Sequence, residues 1–70
     1  MKEEFKLEGH DFIELNKLLK FMTIASSGGE AKQFIDEGLI MVNGAVETQR
    51  RKKLRPGDEV HFKEKVILIT

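Results

Sequence analysis

Apolar and polar positions along the chain follow two different rhythms. Phe5 and Leu7 alternate with Lys6 and Glu8 ahead of Gly9, the two-residue period of a short strand. Phe12, Leu15, Leu18, Leu19 and Met22 then recur at three- and four-residue spacing, predicting a helix over residues 12–21 with one buried stripe. Asp11, with Glu14 three residues on, predicts that helix's start, because its carboxylate can accept from the free amides of a first turn. A second helix is predicted from Ser27-Gly28-Gly29-Glu30, a capping box in which Ser27 accepts from the Glu30 amide and Glu30 reaches back to the Ser27 amide. Ala31, Phe34 and Ile35 give it an apolar face, and Gly38 can end it in the left-handed region. A helix this short must pack on something.

The rhythm then returns to that of strands. Leu39 to Val42 and Ala45 to Thr48 flank Asn43-Gly44, two residues that tolerate the positive φ of a type I′ turn, so residues 39–48 read as a tight hairpin. Arg55-Pro56-Gly57-Asp58 places Pro and Gly where a type II turn needs them and leads into Val60 and Phe62, which alternate with Glu59 and His61. Val66 to Ile69 is apolar on both strand faces and predicts a central strand. The expected order is strand, helix, helix, then three or four strands: an α+β domain with two helices on a small, mostly antiparallel sheet of three to five strands.

Composition narrows the function classes. At 70 residues the chain is expected to form one domain, residues 1–70, with no room for a second domain or a large catalytic cleft. With no cysteine, neither a disulfide framework nor a thiolate zinc site is available, which suits a reducing compartment. The longest apolar runs have four residues, Leu39 to Val42 and Val66 to Ile69, against about 20 for a bilayer span, so no membrane segment is expected. MKEEFKLEG lacks the apolar stretch of a secretory signal, and the expected location is cytoplasmic. Net charge is zero, but residues 1–42 hold five lysines against eight carboxylates, whereas residues 43–70 hold seven bases against four. Five of those bases fall between Arg50 and Arg55.

The stretch SSGGEAKQFIDEGLIMVNGAVET, followed by RRKKLRPGDEV, resembles the RNA-binding domain named after ribosomal protein S4, the alpha-L RNA-binding motif, in its small stand-alone bacterial form. Ser27, Glu30, Ala31, Lys32, Ile35, Gly38, Ile40, Val42, Asn43, Gly44, Gly57 and Asp58 fall on that family's pattern, over about residues 14–60. The resemblance implies a two-helix alpha-L motif with an RNA-binding face, packed on the sheet. Two positions depart from the usual phosphate contacts: the family's first-helix basic residue falls on Glu14, and the one after the capping serine on Gly28. The family's aspartate in the first helix falls on Asn16.

Arg50, Arg51, Lys52 and Lys53 are the leading candidates for RNA contact, since four adjacent cations repel one another unless an anion answers them. A solvated loop is the plain alternative. Lys32, on the family's basic position, and Lys20 would complement the run, with Lys17 and Gln33 as weaker additions. Gly28 and Gly29 would let a phosphate approach the amides of a helix start, replacing the missing basic side chain, or would simply let the chain turn into that helix. Asn43 reads first as turn geometry and second as a contact to a ribose or base edge. His10 and His61 have no partners at ligand spacing, so no metal or other cofactor is expected. No nucleophile stands beside either histidine, so no catalytic residue is expected.

The expected function is thus non-enzymatic recognition of structured RNA, with ribosomal RNA first and transfer RNA second, in ribosome assembly or its quality control and within a ribosomal particle. The five Phe are expected to serve mainly the core, leaving few rings to stack on splayed bases. The rival readings are an adaptor whose basic loop docks on an acidic protein, and a relative of ubiquitin-like sulfur carriers. VNGAVET and RPGDEV resemble the latter, but the chain ends in Val-Ile-Leu-Ile-Thr rather than Gly-Gly.

Overall fold

The computed structural model describes residues 2–70, whose order along the chain is β1 (Lys2–Phe5), β2 (Ile13–Glu14), α1 (Leu15–Phe21), α2 (Gly28–Asp36), β3 (Met41–Val42), β4 (Ala45–Val46), β5 (Lys53–Leu54), β6 (Glu59–Phe62) and β7 (Lys65–Ile69). Five strands form one sheet in the order β1-β7-β6-β3-β4, and β2 pairs with β5 in a separate ribbon. Pairing within the main sheet is antiparallel except between β1 and β7, which run parallel with Lys2 beside Val66 and Phe5 beside Ile69. This is the expected α+β class. As expected, β7 is an interior strand: Ile67 and Ile69 are buried, and Val66 and Leu68 on its other face are half-buried.

One core joins the layers. Leu15, Leu18 and Leu19 of α1 and Ala31 and Ile35 of α2 meet Val42, Leu54, Val60, Ile67 and Ile69. Among the described residues no polar or charged side chain is buried, so every titratable group has access to solvent.

Where turn chemistry is local, the structure follows it. Asn43 and Gly44 take φ of 53° and 85° between β3 and β4, and Gly57 takes 98° in the Pro-Gly turn, closed by the Asp58 amide donating to the Arg55 carbonyl at 3.0 Å. Ser27 caps α2 by accepting from the Glu30 amide at 3.1 Å, and Gly38 follows that helix at φ 75°. One partner differs: Glu30 Oε1 reaches Ser26, accepting from its amide at 2.8 Å, rather than the Ser27 amide.

The N-terminal third departs further. The first strand is Lys2–Phe5, starting three residues earlier than the Phe5-Leu7 alternation suggested, because its partner β7 fixes the register; Leu7 is buried just beyond it. Helix α1 starts at Leu15, not at residue 12, with Glu14 at the cap position and no side-chain cap. Residues 13 and 14 pair instead with Leu54 and Lys53. The first helical amides are satisfied from across the molecule: Leu15 donates to the Lys52 carbonyl at 2.9 Å and Asn16 to the Arg50 carbonyl at 3.0 Å. Asp11 is therefore exposed and outside the helix, and Phe12 leaves the predicted buried stripe. At the far end of α1, Thr23 sits at φ 58°, a position usually given to glycine because a β-branched side chain is strained there.

Candidate nucleic-acid interface

Helix α1 buries Leu15, Leu18 and Leu19, which turns Lys17, Lys20 and Phe21 toward solvent. The Cδ of Lys20 lies 4.0 Å from where a Cβ on Gly28 would stand, so this lysine runs alongside the start of α2. At the opposite end of α1 the basic segment is pinned by its own carbonyls and by two ion pairs. Arg50 grips Asp36, at the end of α2, with two hydrogen bonds of 3.1 and 2.7 Å. Arg51 Nε donates to Glu14 at 3.2 Å, and Lys17 Nζ stands 3.9 Å from the same carboxylate. The basic loop thus bridges the start of α1 and the end of α2.

The anions that answer Arg50 and Arg51 are therefore the protein's own, which changes the picture of four like charges waiting for a ligand. Asp36 is held below its ordinary carboxylate pKa first by the Arg50 hydrogen bond, against desolvation, and then by the charges of Arg50 and Lys32. The first of these pairs is solvent-exposed, with the Arg50 and Asp36 side chains each 44% accessible, so water screens it; in the second, Arg51 is 81% accessible but Glu14 only 15%. Glu14 occupies one donor of a guanidinium that has five, leaving the outer edge of Arg51 able to bond an incoming phosphate oxygen.

The remaining candidates separate into two groups. Lys52 is half-buried and, with Arg55, acts on Asp58. Burial would raise that carboxyl, but bonds from the Arg55 and Asn43 amides, together with the two charges, outweigh it and hold the pKa low. Asn43 has both ends of its side-chain amide engaged: Nδ2 donates to Asp58 at 3.0 Å and Oδ1 accepts from the Glu59 amide at 2.9 Å, tying the hairpin to the Pro-Gly turn. Lys53 turns the other way, its Nζ 5.0 Å from the centre of the Phe12 ring, where the Arg55 guanidinium carbon also sits at 5.7 Å. Lys32 is exposed on α2 one turn before Asp36, and Gly28 and Gly29 are exposed at that helix's start. Lys17, Lys20, Gly28 and Arg51 are thus gathered along α1, whereas Lys52 and Asn43 belong to the turn beyond it.

The aromatic rings are not where hydrophobicity alone puts them. None of the five Phe belongs to the buried core: Phe5, Phe34 and Phe62 pack at its edge, Phe12 is 36% exposed and Phe21 71%. Leaving Phe21 out forgoes much of the roughly 1.5–3 kcal/mol that burying such a side chain supplies. The sequence did carry a signal, for Phe21 lies off the stripe of Leu15, Leu18, Leu19 and Met22 and one turn after Lys17. His61, on β6, contacts Glu59 at 3.3 Å, and among the described residues no group of three or more His, Cys, Asp or Glu could hold a metal ion. Among those residues no helix is long and apolar enough to cross a membrane.

Comparison with known proteins gives this arrangement a family. Residues 5–70 match the model of the S4 domain. YbcJ of Escherichia coli K12 is 45% identical over 58 residues, which cover 83% of each chain. The solution structure of E. coli YbcJ, described as revealing an αL motif involved in RNA-binding, superposes with a TM-score of 0.73 at 39% identity, covering 96% of this chain and 85% of that one. The small ribosomal subunit protein uS4 of Natranaerobius thermophilus is 41% identical over 51 residues, 73% of this chain and 24% of that protein. RlbA of Bacillus subtilis 168, named a probable ribosome maturation protein, is 36% identical over 52 residues, 74% of this chain and 73% of RlbA. The chain belongs to the S4 domain family, as its central motif suggested.

Proposed function

We propose that this member of the S4 domain family binds structured RNA, catalyses no reaction on it, and takes ribosomal RNA as its ligand during ribosome assembly or its quality control, with transfer RNA as the second candidate. The observation that carries this reading is the solvent face of α1. Lys17 and Lys20 stand there between the start of α2 and the pinned basic loop, so cations from separate parts of the chain line one ridge. The description of E. coli YbcJ and the name of B. subtilis RlbA support it.

Phosphates bind along that ridge. Lys17, Lys20 and Lys32 supply mobile ammonium groups, while Arg50 and Arg51 supply a segment whose backbone is already fixed, which lowers the ordering cost of binding; Lys52, beside Asp58, and Lys53, on Phe12, flank the ridge. A phosphate displaces Asp36 from Arg50, an exchange kept inexpensive by that pair's exposure, and shares the exposed guanidinium of Arg51 with Glu14. The amides of Gly28 and Gly29 take a further phosphate, and Asn43 holds the hairpin in place. A Gly28→Glu variant that folds normally and binds RNA unchanged would remove the glycines from this scheme.

Salt titration tests the reading. Engagement of four or five phosphates gives a slope of log affinity against log salt of about −3 to −4.5, from roughly −0.7 to −0.9 per phosphate. A slope near zero for an RNA hairpin would exclude phosphate-driven binding. Crosslinking in cells, with sequencing of attached RNA and an Arg50→Glu, Arg51→Glu, Lys52→Glu triple variant as control, identifies the RNA; recovery of protein partners alone would replace this reading with the adaptor.

A further inference from the structure

Beside the α1 ridge lies a groove of about 490 Å³, a volume suited to a small ligand, running between the segment after β1 and the exposed face of α1. Phe5, Leu7, Phe12 and Phe21 line it, together with Lys6, Lys17, Glu8 and Glu14. Three observations bear on what enters. Phe21, 71% exposed, is not loose: Phe5 holds it edge-on at 5.1 Å with the rings 85° apart, which fixes the direction its π-face presents. Phe12 carries Lys53 and Arg55 within cation–π distance, so this wall joins aromatic surface to positive charge. The groove's own lining balances Lys6 and Lys17 against Glu8 and Glu14, and Lys53 and Arg55 on the Phe12 ring, with Arg51 on Glu14, tip its surroundings toward positive charge. An apolar slot with oriented rings and two cations against its Phe12 wall complements a flat aromatic group attached to a phosphate.

We infer that this groove receives the base of one unpaired nucleotide in the bound RNA, stacked on Phe21, while the adjoining phosphates lie against Lys6 and Lys17. The inference rests on the RNA-binding reading and adds to it a subsite for a base displaced from its helix. It also explains the position of Phe21 on the same helix face as Lys17 and Lys20: the ridge that holds phosphates places the next base over the ring.

The test uses the full chain and two RNA hairpins of equal charge, one with a single bulged adenosine and the other with an abasic ribose at the bulge, at low salt. The expected result is tighter binding of the adenosine hairpin by about 5- to 150-fold, the range that stacking one base on a side chain supplies. Phe21→Ala should abolish that preference while leaving affinity for the abasic hairpin within about twofold, and Phe21→Trp should retain it. Melting curves of both variants, substituted at an exposed position, check the fold. Equal affinity of the parent protein for the two hairpins overturns the subsite and leaves phosphate binding standing, as does a preference that survives Phe21→Ala. Failure to bind either hairpin overturns the RNA reading and the subsite together. A parent dimer converted to monomer by Phe21→Ala, with RNA preference unchanged, assigns the groove to self-association instead.

Discussion

The two helices begin and end in opposite ways. Helix α2 carries its own signals: Ser27 and Glu30 close its first turn, and Gly38 follows its last. Helix α1 has no side-chain cap, takes its first two acceptors from Lys52 and Arg50, and ends on a strained Thr23. A local cap travels with its sequence, whereas a borrowed one exists only when two distant segments have already met. The basic loop and the start of α1 therefore form one structural unit, and the helix that presents Lys17 and Lys20 depends on the loop that extends it.

The hardest test of that coupling is Leu54→Ala, which removes a fully buried side chain from the β2–β5 ribbon that holds the loop on α1. A loss of about 2–5 kcal/mol is expected in denaturant titration, and hydrogen exchange should accelerate more at the Leu15 and Asn16 amides than at Ala31. Equal acceleration at all three would mean that the helices are not separable. Ser27→Ala is the reciprocal experiment, costing about 1 kcal/mol and exposing the Glu30 amide while sparing the start of α1. Thr23→Gly should act in the opposite sense, stabilising the protein by up to about 1 kcal/mol as the left-handed position loses its β-branched occupant; a lower melting temperature would contradict the strain.

Acid sharpens the contrast between clamped and unclamped parts of the basic segment. Asp36 and Asp58 both have folded-state pKa values below the reference 3.8, so their contribution is complete above that value and is lost as pH falls through the lower, folded value. Stability should fall on acidification below about pH 4, and less steeply in Asp58→Asn; an unchanged pH profile for that variant would dissociate the turn from the titration. The smallest expected effect on stability is that of Glu14→Gln, within about 1 kcal/mol because the isosteric amide oxygen can still accept from the exposed Arg51. The same substitution removes the anion beside Arg51 and Lys17, and RNA affinity should rise.

What could be read from the sequence follows the same division. The Asn43-Gly44 hairpin, the Pro56-Gly57 turn and α2 were legible because the residues that decide them are adjacent, and their φ angles or cap bonds agree. The start of α1 was not, since its acceptors lie at Arg50 and Lys52 and nothing near residue 15 announces them. The basic run was visible as a cluster, but Asp36 and Glu14, the carboxylates that hold its two arginines, lie 14 and 37 residues away from them. The aromatic groove was hidden by the general rule that phenylalanine goes inside. Only the misfit of Phe21 with the leucine stripe argued otherwise, and packing of Phe5 against it could not be read from spacing.

The parallel seam between β1 and β7 joins Lys2 to Val66, nearly the whole length of the chain. During synthesis β1 consequently waits for β7, with an open hydrogen-bonding edge, while both helices and the hairpin have already emerged. A newborn chain stalled before residue 65 would hold the helical ridge without the strand that closes the seam with β1.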